Sequence, residues 1–125
     1  MKRDMDLIRR LMLDIEKQPA GMHTPGTQLY RDGDDPTVVA EHLALLIDHQ
    51  FLKGHVARSL GGLELGHVVV LSIPWRGHEF LDAVRNDTVW KKTKDKVASV
   101  GGTASVEILT QVATGFLKQM LGLAT

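Results

Sequence analysis

A chain of 125 residues is long enough for one domain with a real interior, because at this size roughly two-thirds of the unfolded surface leaves water on folding. The absence of cysteine excludes disulfide staples, thiolate zinc sites and cysteine nucleophiles, and fits a reducing cytoplasm. Fifteen basic residues balance fifteen acidic ones, which argues mildly against a dedicated nucleic-acid binder, since such proteins usually carry a clear positive excess.

From Asp4 to Lys17 the apolar residues Met5, Leu7, Ile8, Leu11, Met12 and Ile15 recur at spacings of three and four, the pattern of an amphipathic helix and not of a signal peptide. Gln18 to Gly21 ends it. The next dozen residues are poor in apolar content, with a turn signal at Pro25-Gly26 and a possible short strand at Gln28-Leu29-Tyr30. A second helix is expected with Asp35 as N-cap and Pro36 in the first helical position, where a missing N–H costs nothing. It continues through Val39, Leu43, Leu46 and Ile47 to about Gln50. Phe51 to Val56 and His67 to Ile73 read as the two strands of a hairpin, joined by a loop punctuated by Gly61-Gly62 and Gly66. The second of these, through Pro74, is the longest near-apolar run and is too short to span a membrane.

Pro74 can open a third helix whose inner face takes Trp75, Phe80, Leu81 and Val84. Asp87 is read as capping a further helical stretch through Val89, Trp90 and Val97. After Gly101-Gly102 a final amphipathic helix is expected over about 103–121, with Val106, Leu109, Val112, Ala113, Phe116, Leu117 and Met120 on its apolar face. The predicted fold is α+β: one winged-helix-like domain over 1–125 (helix, helix, β-hairpin wing, helix; core about 3–98) with an additional C-terminal helix. A helix feeding into a two-stranded wing is the arrangement of that relative of the helix-turn-helix.

Met1-Lys2-Arg3-Asp4-Met5-Asp6-Leu7-Ile8-Arg9, His42-Leu43-Ala44-Leu45-Leu46-Ile47-Asp48, the run from Trp75 to Arg85, and Asn86-Asp87-Thr88-Val89-Trp90-Lys91-Lys92-Thr93-Lys94 together resemble a bacterial and prophage family known as domain of unknown function 2513. The resemblance spans most of the chain. It implies a winged-helix-like fold and a phage or prophage setting, and it brings no catalytic residues, because the family has no established activity. Ile73-Pro74-Trp75 departs from the Leu-Thr-Trp expected there. The lost threonine cap is tolerable, since proline suits a first helical turn.

In a helix-turn-helix protein the helix before the wing reads DNA through Arg, Lys, Asn or Gln. Here Pro36 to Gln50 holds no Lys or Arg, and from Gln18 to Gln50 Arg31 stands against Asp32, Asp34, Asp35, Glu41 and Asp48, a net −4. Such a surface repels phosphates, whose binding depends on cations. The scaffold helix that normally precedes the recognition helix also looks shortened or missing. Positive charge lies elsewhere. Lys53 to Lys96 carries eight bases against five acids, and Lys2, Arg3, Arg9 and Arg10 add to the first helix. Arg85, Lys91, Lys92, Lys94 and Lys96 are therefore the candidate nucleic-acid contacts, weighed against an ordinary solvated helix surface. Trp90 could stack on a base, although core packing is the commoner fate of such a residue.

Enzyme signatures are weak. His23, His42, His49, His55, His67 and His78 include no pair at metal-clamp spacing on a helix. His42 with His49, or His55 with His67, are the pairings that could meet. The serines lack a nucleophile elbow and the paired glycines lack the Lys and Ser/Thr of a phosphate loop. No catalysis, metal or cofactor is expected. The partner is then DNA or another protein. For a protein partner the candidate contacts are Glu41 and Asp48 on the acidic helix and Phe116 and Met120 on the last one, whose surplus apolar surface also suggests a homodimer.

Overall fold

In the computed structural model, which describes residues 1–58 and 65–123, the first helix is α1, Met5–Glu16. Asp4 caps it by accepting a hydrogen bond from the Leu7 N–H, and Ile8, Leu11, Met12 and Ile15 form its buried stripe. Arg31 to Asp35 then leads into α2, Pro36–Asp48. Asp35 accepts from the Thr37 N–H at 2.9 Å and Pro36 begins the helix. These two starts follow the sequence pattern closely.

The region between α1 and α2 differs from expectation. Its strand is β1, Thr24–Pro25, and Gly26–Leu29 is a single 3₁₀ turn, so Gln28 and Leu29 are not in a strand. Two features explain the shift. Pro25 has no N–H to give a ladder and is tolerated because β1 lies at a sheet edge. Gly26 lies where a Cβ would sit 3.3 Å from the Val68 carbonyl oxygen and 3.2 Å from Leu43, which favours a turn at that point.

The hairpin is β2, Lys53–Arg58, and β3, Leu65–Ser72. The sheet is antiparallel in the order β1-β3-β2, with Thr24 opposite Val70, Gly54 opposite Val70, and Val56 opposite Val68. Val68 and Val70 are buried on the inner face, whereas His55 and His67 are exposed on the other. The hairpin loop, with Gly61-Gly62, lies outside the described residues.

The helix α3, Trp75–Val84, follows Pro74; α4 is Asp87–Ser99 and α5 is Val106–Met120. Asn86, not Asp87, caps α4, accepting from the Val89 N–H at 3.0 Å, and Ser105 caps α5. Gly101 and Gly102, both at positive φ, make the break between them, a backbone shape that glycine adopts without a steric cost.

The chain divides into two compact units, Met1–His78 and Glu79–Thr125, the boundary falling inside α3. In the first, α1 and the sheet both pack on α2, burying Leu11, Met12, Val39, Leu43, Leu46, Leu52 and Val70. In the second, α4 packs on α5; Val89, Trp90, Thr93, Val97, Leu109 and Ala113 are buried. Trp75 is a correction: it is 80% exposed. Phe80, Leu81 and Val84 share a buried side at spacings of one, three and four, but Trp75 is nine residues from Val84, half a turn away at 3.6 residues per turn.

Candidate docking face on the second helix

The face is built from the clamp that fixes the start of α2. The Arg10 guanidinium donates twice to Asp34, at 2.9 and 2.6 Å, and the Arg31 N–H donates to the same carboxylate at 2.8 Å. Arg31 in turn reaches Asp14 of α1 at 2.6 Å. The two Arg10 hydrogen bonds foremost, then that of the Arg31 backbone, lower the Asp34 pKa to about 2; the same pairing raises that of Arg10. A bidentate arginine–carboxylate pair is both strong and directional. It ties the turn before α2 to α1.

A second tie is made by His42, which is fully buried. Its Nε2 accepts from the Asp4 N–H at 2.9 Å, and its Nδ1 lies 2.7 Å from the Val38 carbonyl oxygen. A backbone amide can only donate and a carbonyl can only accept, so these partners select the neutral tautomer protonated at Nδ1. His49, seven residues on, is exposed because α2 ends at Asp48 and His49 is its C-cap. The two histidines do not form a site. His55 and His67 lie diagonally on the outer face of the hairpin, opposite Val69 and Ala57 respectively. Among the described residues no three His, Asp or Glu side chains gather as metal ligands would.

With α2 held this way, one of its flanks and β2 enclose a groove of about 570 Å³. Its floor is Ala44, Leu45, Ile47 and Val56; Glu41, Asp48 and Arg58 form the rim. The candidate residues Glu41 and Asp48 thus belong to one feature. Arg58 donates to Glu41 at 3.3 Å, whereas Asp48 is well exposed with His49 3.8 Å away. The pairings change the charge that chain counting gives. Two of the five acids between Gln18 and Gln50, Asp34 and Glu41, are matched by arginines from α1 and β2. Arg10 is accordingly committed to Asp34 and is not one of a row of cations on α1. A separate recess of about 330 Å³ at the end of α1 has Ile15, Met22, Val70 and Ile73 among its walls and Glu16 and His78 at its edge.

The lysines of the other candidate site are all on α4, and Lys91, Lys92, Lys94 and Lys96 are exposed. Helical spacing of roughly 100° per residue sends Lys91 and Lys94 to one side and Lys92 and Lys96 to the other, around more than half of the helix. Arg85, at the end of α3, is paired with Asp82 at 3.1 Å. Trp90 is only 4% exposed, so it packs inside and is not a stacking platform; Lys94 lies 6.0 Å from its ring centroid. Phe116 is half-buried with Lys92 6.0 Å from its ring, and Met120 is 52% exposed.

A family described as "Hypothetical protein (DUF2513)" matches residues 2–104. The chain belongs to it. An uncharacterized protein of Haemophilus influenzae is 34% identical over 124 residues, covering 97% of this chain and 99% of that protein. No solved structure matches. The DUF2513 match takes in α1 to α4 and the groove, and stops just short of α5. No helix among the described residues is long and apolar enough to cross a membrane.

Proposed function

We propose that this DUF2513 protein is a non-catalytic, winged-helix-type interaction module of the cytoplasm, which binds a partner protein through the groove between α2 and β2. Support for the winged-helix reading comes from element order: helix, short strand, short helical turn, helix and hairpin, with β1 on the far side of β3. In that plan α2 is the recognition helix. The observation that carries the proposal is the make-up of its open side. Where a DNA reader carries cations, α2 presents Thr37, Glu41, Leu45 and Asp48 beside an apolar groove. Hydrophobic floor and polar rim are the anatomy of a protein interface.

The test is affinity capture of tagged chain from its native cells, with Glu41→Lys/Asp48→Lys beside wild type. A specific partner retained by wild type and lost by the double variant supports the reading; a partner held equally by both refutes it. A second reading, DNA binding, draws on the four exposed lysines of α4. It requires that the chain retard duplex DNA at low salt, and that Lys91→Ala/Lys92→Ala/Lys94→Ala weaken retardation on every sequence alike.

A further inference from the structure

The sequence of α5 is arranged in doublets. Ile108-Leu109, Val112-Ala113, Phe116-Leu117 and Met120-Leu121 are each separated by two less apolar residues. A helix facing one neighbour needs an apolar residue only every three or four positions. Doublets widen the apolar face enough to serve two neighbours. Within its own unit α5 has α4 on one side, and Leu109 and Ala113 are buried. The other members of the first two doublets lie on the adjoining flank, where Ile108 is 48% exposed and Val112 is half-buried.

Gly115 lies on this same flank, seven residues after Ile108, nearly aligned with it at 3.6 residues per turn. A Cβ there would meet nothing within 4 Å. Mid-helix glycine costs about 1 kcal/mol relative to alanine, and no neighbour among the described residues of its own unit makes use of the missing side chain. A second helix lying close across the flank would.

We infer that the missing neighbour is α5 of a second copy, packed antiparallel about a two-fold axis near Val112 and Ala113. Charge decides the identity and the direction. Glu107 and Lys118 are the charged residues of α5, one per end, and both project to the same side of the flank. In an antiparallel two-fold pair, same-side positions at opposite ends face each other, so each Glu107 meets the partner copy's Lys118. A parallel pair would set like charges at the same level. The same register sets each Gly115 between the partner copy's Ile108 and Val112. Gln111 and Gln119 border the flank with uncharged side chains.

Sedimentation of the full chain across a dilution series tests this, with circular dichroism checking that each variant folds. Gly115→Lys is the decisive variant, because lysine favours helix over glycine and points into open space in the monomer. It should leave the fold intact and raise the dimer dissociation constant by roughly a hundredfold, since it sets like charges against each other. Glu107→Lys and Lys118→Glu should each weaken the dimer by roughly fivefold, and the double exchange should restore it. A wild-type chain that stays monomeric at its highest soluble concentration overturns the inference. So does a Gly115→Lys chain that dimerises like wild type, or a double exchange that fails to recover what the single changes lose.

Discussion

Gly77 and Gly115 make a matched pair of experiments, since both are helical glycines and the structure gives them opposite surroundings. Alanine at Gly77 would place its Cβ 2.2 Å from the Phe51 carbonyl oxygen, 2.6 Å from Ile73 Cγ2 and 3.1 Å from Met12 Cε. The methionine tip can move aside. The carbonyl belongs to the backbone just before β2, and the Ile73 methyl is branched at Cβ, so neither yields without moving the chain. Overpacking of this kind costs about 1–3 kcal/mol, and two rigid contacts put Gly77→Ala near the upper end. Removing a helical glycine returns about 0.5–1 kcal/mol. The net expectation is a loss of roughly 2 kcal/mol. At Gly115 the steric term is absent, so Gly115→Ala keeps only the gain, up to about 1 kcal/mol. Urea unfolding at one fixed protein concentration, followed by fluorescence of buried Trp90, measures both. A Gly77→Ala chain as stable as wild type would show that the α3 start does not lie against Phe51 and Ile73, and the packing account of the first unit would fail.

Acid titration probes the clamp. Asp34 has its pKa lowered from 3.8 to about 2 by Arg10 and Arg31, so its contribution is complete above pH 4 and is lost as pH falls toward 2. The urea midpoint should drop over that window, and Asp34→Asn should flatten the drop; an unchanged profile counts against the clamp. His42→Leu removes both ring hydrogen bonds from a buried position and should cost about 1–3 kcal/mol, while His42→Gln, able to accept from Asp4, should lose less. Hydrogen exchange at the Asp4 amide reports which bond survives. Trp75→Ala should change stability by less than about 0.5 kcal/mol and Trp90→Ala by about 3–5 kcal/mol; equal effects would contradict their assigned exposures. Finally, Glu41→Lys/Asp48→Lys should give α2 the cations it lacks and create salt-sensitive, sequence-independent DNA binding, with the slope steepening by about two units for two added phosphate contacts. No gain would mean that this face cannot approach a duplex.

Local signals carried most of the fold. The cap at Asp35, Pro36 at a helix start, the apolar spacing of α1 and the β-branched run of β3 all act within a few residues of themselves. His42, weighed in the sequence only as a partner for His49, is buried because it falls between Val39 and Leu46 at spacings of three and four on the apolar side of α2. What escaped was non-local. Arg10–Asp34, Arg31–Asp14 and Arg58–Glu41 join residues 24, 17 and 17 positions apart, and no spacing rule selects such partners. β1 is two residues long and exists because β3 offers it an edge. Trp75 is a different case: the period that correctly grouped Phe80, Leu81 and Val84 already excluded it, and its hydrophobicity alone suggested the interior.

The same packing explains both the fold and the character of the candidate site. α2 has α1 on one side and the sheet on another, so most of its thirteen residues are at least half-buried. The side turned away from both is a narrow row, Thr37, Glu41, Leu45 and Asp48, spaced by four, four and three, with Thr37 and Asp48 exposed and Glu41 and Leu45 half-buried. Reading DNA from so narrow a row requires nearly every position to carry a donor or a cation, since each phosphate contact depends on one. In this chain the row carries one hydroxyl, one alkyl side chain and two carboxylates. One of those carboxylates is held by Arg58 from β2, which places a cation at the rim of the groove and not along the helix. Burial on two sides therefore leaves α2 an apolar floor with mixed charge around it, which is why we propose a protein and not a duplex as its partner.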